Sequence, residues 1–370
     1  MNNNKKTGIV YLWLLTSCFL VFIMVFIGGL TRLTDSGLSM VEWNLISGIL
    51  PPLNENNWII LFEKYKQFPE FKIINPNINL DEFKFIFWME YIHRVWGRII
   101  FLFFLIPLIF FIRKKYIQKK LQKHFFIILI LIMLQGLFGW YMVQSGLVEK
   151  PDVSHYRLSV HLTIAFIIYG YLLLLTFYFY DIKKNKKKII IKNKNFSFFI
   201  FLCSCLILLT VFSGGMVAGL DAGLVYNTFP LMGEKFFPTD FFDLDPNFIN
   251  FFENPVSVQF DHRILGISTA LLTFYIWFYS RKKNLQNKIK KKVSILLTVV
   301  LIQISLGIAT LLSYVATPIA ITHQLGALIV FSISLWIIKD LPFVSKWYKK
   351  SILSCISAIS RCIMVSNRGI

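Results

Sequence analysis

Apolar runs of about 20 residues, each long enough to cross a bilayer core, recur along this chain, and a lysine-rich segment follows every second one. Hydrocarbon offers no water to a peptide group, so such runs must be helices. Residues 113–124 hold six Lys or Arg and no acid, 181–195 hold seven Lys and one Asp, and 281–292 hold seven Lys or Arg and no acid. Basic segments between spans stay in the cytoplasm. Lys5 and Lys6 place the N-terminus there, and Lys346, Lys349 and Lys350 keep the C-terminus on the same side. The pattern predicts an all-α polytopic membrane protein with eight transmembrane helices. They run at about 9–30, 90–112, 125–145, 158–180, 196–219, 262–280, 293–313 and 319–338.

This layout explains the charge. A formal net charge of +20 invites a nucleic-acid reading, but the basic residues sit in short inter-span segments of a chain that is 56% hydrophobic. Topology accounts for them, and no nucleic-acid partner is expected. The 38 Phe residues read as compositional bias.

The first external loop, 31–89, is polar and broken by Pro51-Pro52, with Trp43, Trp58 and Trp88 suited to a membrane interface and short amphipathic helices lying on it. The loop at 146–157 carries Pro151 and His155, and the loop at 220–261 carries Pro230, Pro238, Pro246 and Pro255, which argue against long regular helix. The start is a short charged cap to the first span, not a transit peptide, and that span lacks a clear small-residue cleavage site. Cys18, Cys203 and Cys205 fall in apolar runs, and Cys355 and Cys362 near the end. None has metal-site spacing, and no disulfide is expected.

The chain is internally duplicated. Phe26, Gly28, Gly29, Asp35, Gly37 and Leu38 match Phe212, Gly214, Gly215, Asp221, Gly223 and Leu224 at an offset of 186. His93-Arg94 matches His262-Arg263, Gln135 and Gly139 match Gln303 and Gly307, and His161 matches His323. Four motifs in the same order point to duplication. Four spans per unit give both halves the same orientation, with a pseudo-twofold axis along the membrane normal, as in two four-helix bundles.

The duplicated histidines open or closely follow the start of spans that begin outside, so they lie near the external face at similar depth. Two histidines on neighbouring helices can grip a flat macrocycle between them, as in bis-imidazole haem ligation within a bundle. The pairs are His93 with His161, and His262 with His323. A lone intramembrane histidine is more often a hydrogen-bonding residue between helices; two repeat-related pairs favour ligation. Zinc is the weaker alternative, because no Cys or Asp completes a tetrahedral set. His124 and His155 read as solvated surface groups.

Arg94 and Arg263 each follow a histidine. They are candidate anchors for haem propionates, or interfacial arginines snorkelling to headgroups. Glu90 lies three residues before His93, on one helical face with it. The matching position before His262 is Gln259, which cannot titrate. An ionisable group at the mouth of a membrane helix is expensive and usually functional. The asymmetry suggests that one half converts a haem, with Glu90 as base or electrostatic stabiliser, while the other holds a haem for electron transfer.

At these residues the chain resembles the haem A synthase family, in its proteobacterial and mitochondrial form. The resemblance rests on Gly28-Gly29-Leu30-Thr31-Arg32-Leu33-Thr34, Glu90-Tyr91-Ile92-His93-Arg94, His161-Leu162-Thr163, Asp261-His262-Arg263 and Thr322-His323-Gln324, and covers nearly all the spans. It implies oxidation of the C8 methyl of haem O to the formyl group of haem A, through two hydroxylations and loss of water from a gem-diol. It further implies that residues 1–180 hold the substrate haem at His93 and His161, and that Glu90 is the catalytic carboxylate. Residues 196–350 then hold a haem b cofactor at His262 and His323, and 351–370 form a tail without assigned role. Some bacterial members carry a Cys pair in the first external loop, which this sequence lacks. The expected location is the bacterial inner membrane, with haem sites toward the external face. Expected partners are haem O, the haem O synthase (a farnesyltransferase) that supplies it, a membrane electron acceptor, the lipid bilayer and a second copy of the chain. A non-catalytic b-type cytochrome and a haem carrier are the alternatives.

Overall fold

The computed structural model describes residues 3–42, 50–146, 153–185, 190–342 and 344. Among these residues the architecture is helical, with one isolated β-bridge between Met232 and Lys235. The long helices are α1 (Asn3–Leu33), α3 (Leu80–Arg113), α4 (Lys119–Gly146), α5 (His155–Lys183), α6 (Lys194–Gly219), α8 (Pro255–Lys282), α9 (Asn287–Leu312) and α10 (Thr317–Ile338). Two shorter ones are α2 (Glu55–Tyr65) and α7 (Asn250–Glu253). Seven of these helices, α1, α3, α4, α5, α6, α9 and α10, hold stretches long and apolar enough to cross a membrane. The protein is thus a multi-pass membrane protein. Helix α8 is as long, but Asp261, His262, Arg263 and several hydroxyl residues dilute its apolar character.

Every long helix begins earlier than the hydropathy pattern predicts, α3 and α8 by the most. Helix α3 starts at Leu80, not 90, because Asn79 and Glu82 form a reciprocal capping box there. Helix α8 starts at Pro255, not 262, with Asn254 capping it. Pro255 occupies the first turn, where its missing N–H costs nothing. Glu90 and His262 therefore lie well inside their helices, and the polar turns preceding them project beyond the apolar stretch.

Helix α1 packs on α3 and α5, and α4 bridges α3 and α5. Likewise α6 packs on α8 and α10, and α9 bridges α8 and α10. The two sets meet through α5 with α6 and α1 with α10. Adjacent glycines permit these approaches. A Cβ on Gly29 would lie 2.7 Å from Gln324 Oε1 of α10, and one on Gly215 would lie 2.7 Å from the Ser159 Cα of α5.

The segment between α1 and α3, expected to be external, is a small folded layer in its described part. Trp58, Phe62 and Tyr65 of α2 pack against Phe83, Ile86 and Phe87 of α3 as one aromatic cluster. Trp58 is buried there, not displayed at an interface, whereas Trp88 is exposed. Trp43, Pro151, Cys355, Cys362, the last lysines and the 351–370 tail lie outside the described residues. Cys18, Cys203 and Cys205 are free thiols.

Both remaining histidines differ from the solvated groups expected. His124 is fully buried, with Nδ1 2.8 Å from the Tyr171 hydroxyl. Helix α5 folds back over it, which the adjoining basic run does not betray. His155 packs its backbone against Gly219 of α6 and turns its ring toward Glu253, 3.6 Å away.

Candidate functional site

Each of the four matched histidines is half-buried, on α3, α5, α8 or α10. Each ring lies against a glycine of the preceding long helix. A Cβ on Gly28 would stand 3.2 Å from His93 Cε1, and one on Gly139 3.2 Å from His161 Cε1. The corresponding distances are 3.1 Å from Gly214 to His262 and 2.8 Å from Gly307 to His323. A Cβ at any of these positions would press on the imidazole, and at Gly307 it would force the ring to shift. These glycines were visible as repeat matches, but their role needed the packing.

His93 is within electrostatic reach of His161, and His323 of His262. Their tautomers are set by neighbours. Ser213 Oγ donates to Thr210 O (2.9 Å) and lies 2.8 Å from His262 Nδ1. With its proton committed, Ser213 accepts from Nδ1–H, which leaves Nε2 with a free lone pair. Thr31 Oγ1 donates to Ile27 O (2.9 Å) and sits 3.4 Å from His93 Nδ1, with the same consequence by a longer contact. Thr31 and Ser213 are not repeat equivalents, so two different residues make the same orienting bond. Gln135 and Gln303 donate to the backbone carbonyls of His161 (2.9 Å) and His323 (2.8 Å), fixing the other helix of each pair.

Several buried polar atoms around these pairs have no partner among the described residues: His161 Nδ1, Gln135 Oε1, Gln303 Oε1 and Arg263 Nε. His93 and His262, whose Nδ1 atoms face hydroxyl acceptors, keep Nε2 free, whereas the Gln303 amide lies 3.2 Å from His323 Nδ1 and His161 Nδ1 has no partner among the described residues. Paired imidazoles are the donor type of a bis-histidine haem. The glycine cradles and orphaned atoms fit such a group, and among the described residues no cluster of three or more His, Cys, Asp or Glu suits a bare metal ion.

Glu90 and Arg94 form a clamp. Glu90 Oε2 accepts from Ser39 Oγ (2.8 Å) and from Met40 N (2.7 Å). Its Oε1 accepts from Arg94 Nε (3.0 Å) and Nη2. Arg94 also donates to the carbonyls of Glu42 and Met40, 3.0 Å each. Both residues are buried. The clamp ties 39–42 to α3 just above the histidine pair. The other half repeats it with an amide: Gln259 Nε2 donates to Tyr226 O (3.1 Å), and Arg263 to the carbonyls of Tyr226 (2.9 Å) and Thr228 (3.0 Å). Charge at position 90 is thus not required to hold a loop. Arg263 keeps a spare Nε–H, whereas the described donors of Arg94 are engaged with the loop and Glu90.

Residues 11–335 match the family model COX15-CtaA, described as cytochrome oxidase assembly protein. "Heme A synthase COX15" of Bos taurus is 44% identical over 340 residues, covering 90% of this chain and 82% of the relative. "Heme A synthase" of Nitrosospira multiformis is 44% identical over 332 residues, covering 90% and 93%. The protein of the same name from Rickettsia canadensis is 43% identical over 335 residues, covering 90% and 97%. With nearly its whole length matched and its four histidines set in pairs, the chain belongs to the COX15-CtaA family of cytochrome oxidase assembly proteins.

Proposed function

We propose that this protein is a haem A synthase, an oxidoreductase that converts the C8 methyl of haem O to a formyl group by successive hydroxylations. The observation that carries the reading is the repeated unit of histidine and glycine cradle, present twice in each half, in a chain whose named relatives are haem A synthases. The architecture is two four-helix bundles related by a pseudo-twofold axis, with α8 as the eighth span. The N-terminal half, 1–180, takes haem O between His93 and His161. The C-terminal half, 196–350, holds a haem b cofactor between His262 and His323. That cofactor supplies a one-electron redox centre between substrate and a membrane acceptor.

The chain's own residues do the rest. Ser213 holds the Nδ1 proton of His262 by a tight bond suited to a resident group, and Thr31 holds that of His93 by a looser one suited to a substrate that comes and goes. Arg263 offers its spare N–H to a propionate. Glu90 sets a carboxylate beside the substrate pair where the other half has an amide, and stabilises positive charge there. The sites face the exterior of the inner membrane, both termini are cytoplasmic, and haem O synthase is the donor.

Expression with a haem O source, followed by chromatography of extracted haems, tests this. Haem A or a hydroxylated haem is expected. Haem O recovered unchanged would favour a b-type cytochrome or haem carrier, a reading to which the full hydrogen-bond load on Glu90 lends some support.

A further inference from the structure

The first external segment holds a second buried carboxylate that none of these roles uses. Glu70 is 4% exposed, and its Oε2 has no hydrogen-bond partner among the described residues. It opens a single π-helical turn, Glu70–Ile74, an irregularity that recurs at functional positions. The Tyr65 hydroxyl bonds its carboxyl. Asn75 Nδ2 in turn donates to the Tyr65 oxygen, 3.0 Å away. Tyr65, Glu90 and Asp35 are the titratable groups facing Glu70, with Glu90 paired to Arg94 and Asp35 to Arg32.

An open cleft of about 640 Å³ adjoins this cluster at Asn75, the one member of it that lines the cleft, together with Thr34 and Ile86. Ile86 O accepts from Ser39, the residue that also donates to Glu90. The other half has no counterpart: the buried polar side chains described in its external segment, Asn250, Asn254, Ser257 and Gln259, are all neutral.

Resting on the reading of the N-terminal half as the oxidising half, we propose that Glu70 is its proton-exit group, taking a proton from the Glu90 end of the cluster and releasing it to water in the cleft beside Asn75. With water as the oxygen source, oxidising a methyl to a formyl group (R–CH3 + H2O → R–CHO + 4 H+ + 4 e−) sheds protons as well as electrons. The electrons leave to the membrane acceptor, and the protons need a separate path. Glu90 already accepts from four donors, whereas Glu70 has an open oxygen. The O–H bond formed at Glu70 Oε2 breaks again when the proton passes to water, so Glu70 ends each cycle unchanged. Burial, and then the charges of Glu90 and Asp35, push the Glu70 carboxyl up to about 8. That is close to ambient pH, where a proton-transfer group works best.

The test is Glu70→Gln in the full-length protein, with haem content, thermal stability and haem O oxidation measured from pH 6 to about 10. The Gln side chain keeps the shape and the Tyr65 contact but cannot carry a proton. Haem content and stability near neutral pH should match the parent, oxidation should fall about tenfold, and the limb of the rate profile near pH 8 should vanish. A full rate with the parent's pH profile would overturn the proposal. Infrared titration of the unsubstituted protein judges it independently of that variant's folding. A protonated glutamic acid that ionises near pH 8 and responds to haem O supports it, and absence of that band overturns it. A parent protein that makes no haem A would instead overturn the haem A synthase reading.

Discussion

Arg32 binds the carbonyl of its own repeat partner. Ala218 occupies the position of Arg32 in the second half, and the Arg32 guanidinium donates to its carbonyl from Nε (3.1 Å) and Nη2 (2.6 Å). Arg32 also pairs with the two matched aspartates, Asp35 (2.5 Å) and Asp221 (2.7 Å). Both aspartates hold left-handed φ, 47° and 48°. One side chain thus closes the external end of the seam between the halves. Exposed ion pairs are worth little, but charge-assisted bonds to a carbonyl contribute about 1.5–3 kcal/mol. Arg32→Ala should lower thermal stability by about that amount and leave each haem spectrum in place; an unchanged melting temperature would deny the seam a role.

The glycine cradles predict steric effects with an internal control. Gly307→Ala should displace the His323 ring and deplete the low-spin b-type absorbance, and Gly214→Ala should do the same through His262. Gly136→Ala, where a Cβ meets nothing within 4 Å, should be silent. His262→Ala and His323→Ala should remove that absorbance while the chain still inserts. Retention of the full signal in either would sink the cofactor pair.

Glu90→Gln separates chemistry from clamping. An amide can still accept from Arg94, but it offers the Ser39 hydroxyl and Met40 N–H no second carboxylate oxygen. Stability should therefore drop by about 1–3 kcal/mol, the cost of leaving a buried donor unpaired. Oxidation should fall about a hundred- to ten-thousand-fold if Glu90 also serves the reaction. Loss of stability with a normal rate in the folded fraction would leave Glu90 as a clamp alone.

Glu70 makes the stability of the external layer pH-dependent. Its carboxyl rises from 4.5 in an unfolded chain to about 8 when folded. Its contribution to stability is therefore fully present below pH 4.5 and lost as pH rises through 8. Hydrogen exchange in α2 should speed up across that window, and Glu70→Gln should flatten the trend. A pH-independent layer in the parent would contradict the buried, neutral acid.

At the end of the bundle away from the histidines, Lys292 pairs with Asp340 at 2.6 Å, both buried. Lys292→Ala would leave the buried Asp340 carboxylate with the longer Lys339 contact alone, 3.7 Å, and should cost up to about 3–5 kcal/mol, while replacing both residues with apolar ones of similar volume should recover most of it. Thermal denaturation of the single and double variants reads the difference.

The membrane class and the duplicated histidine motifs were legible in the residues themselves. A bilayer demands long apolar helices, and duplication leaves matched motifs in order. The pairing of His93 with His161 and of His262 with His323 was inferred from depth and neighbourhood, and each pair lies within electrostatic reach. Helix starts were misread by up to ten residues at Leu80, because a capping box and a soluble layer extend the helix beyond its apolar stretch. His124 lay in a basic context yet is buried by a helix from elsewhere in the chain. The same limit applies to the clamp and to Glu70. Glu90 meets Ser39 and Met40 across about fifty residues, and Glu70 is buried beside Tyr65, a member of the aromatic cluster that α2 forms with α3. Periodicity and spacing report what a residue's own helix does. Which carboxylates are dry, which imidazole nitrogens are free and which arginine crosses the seam depend on contacts between distant segments, and those the tertiary structure decided.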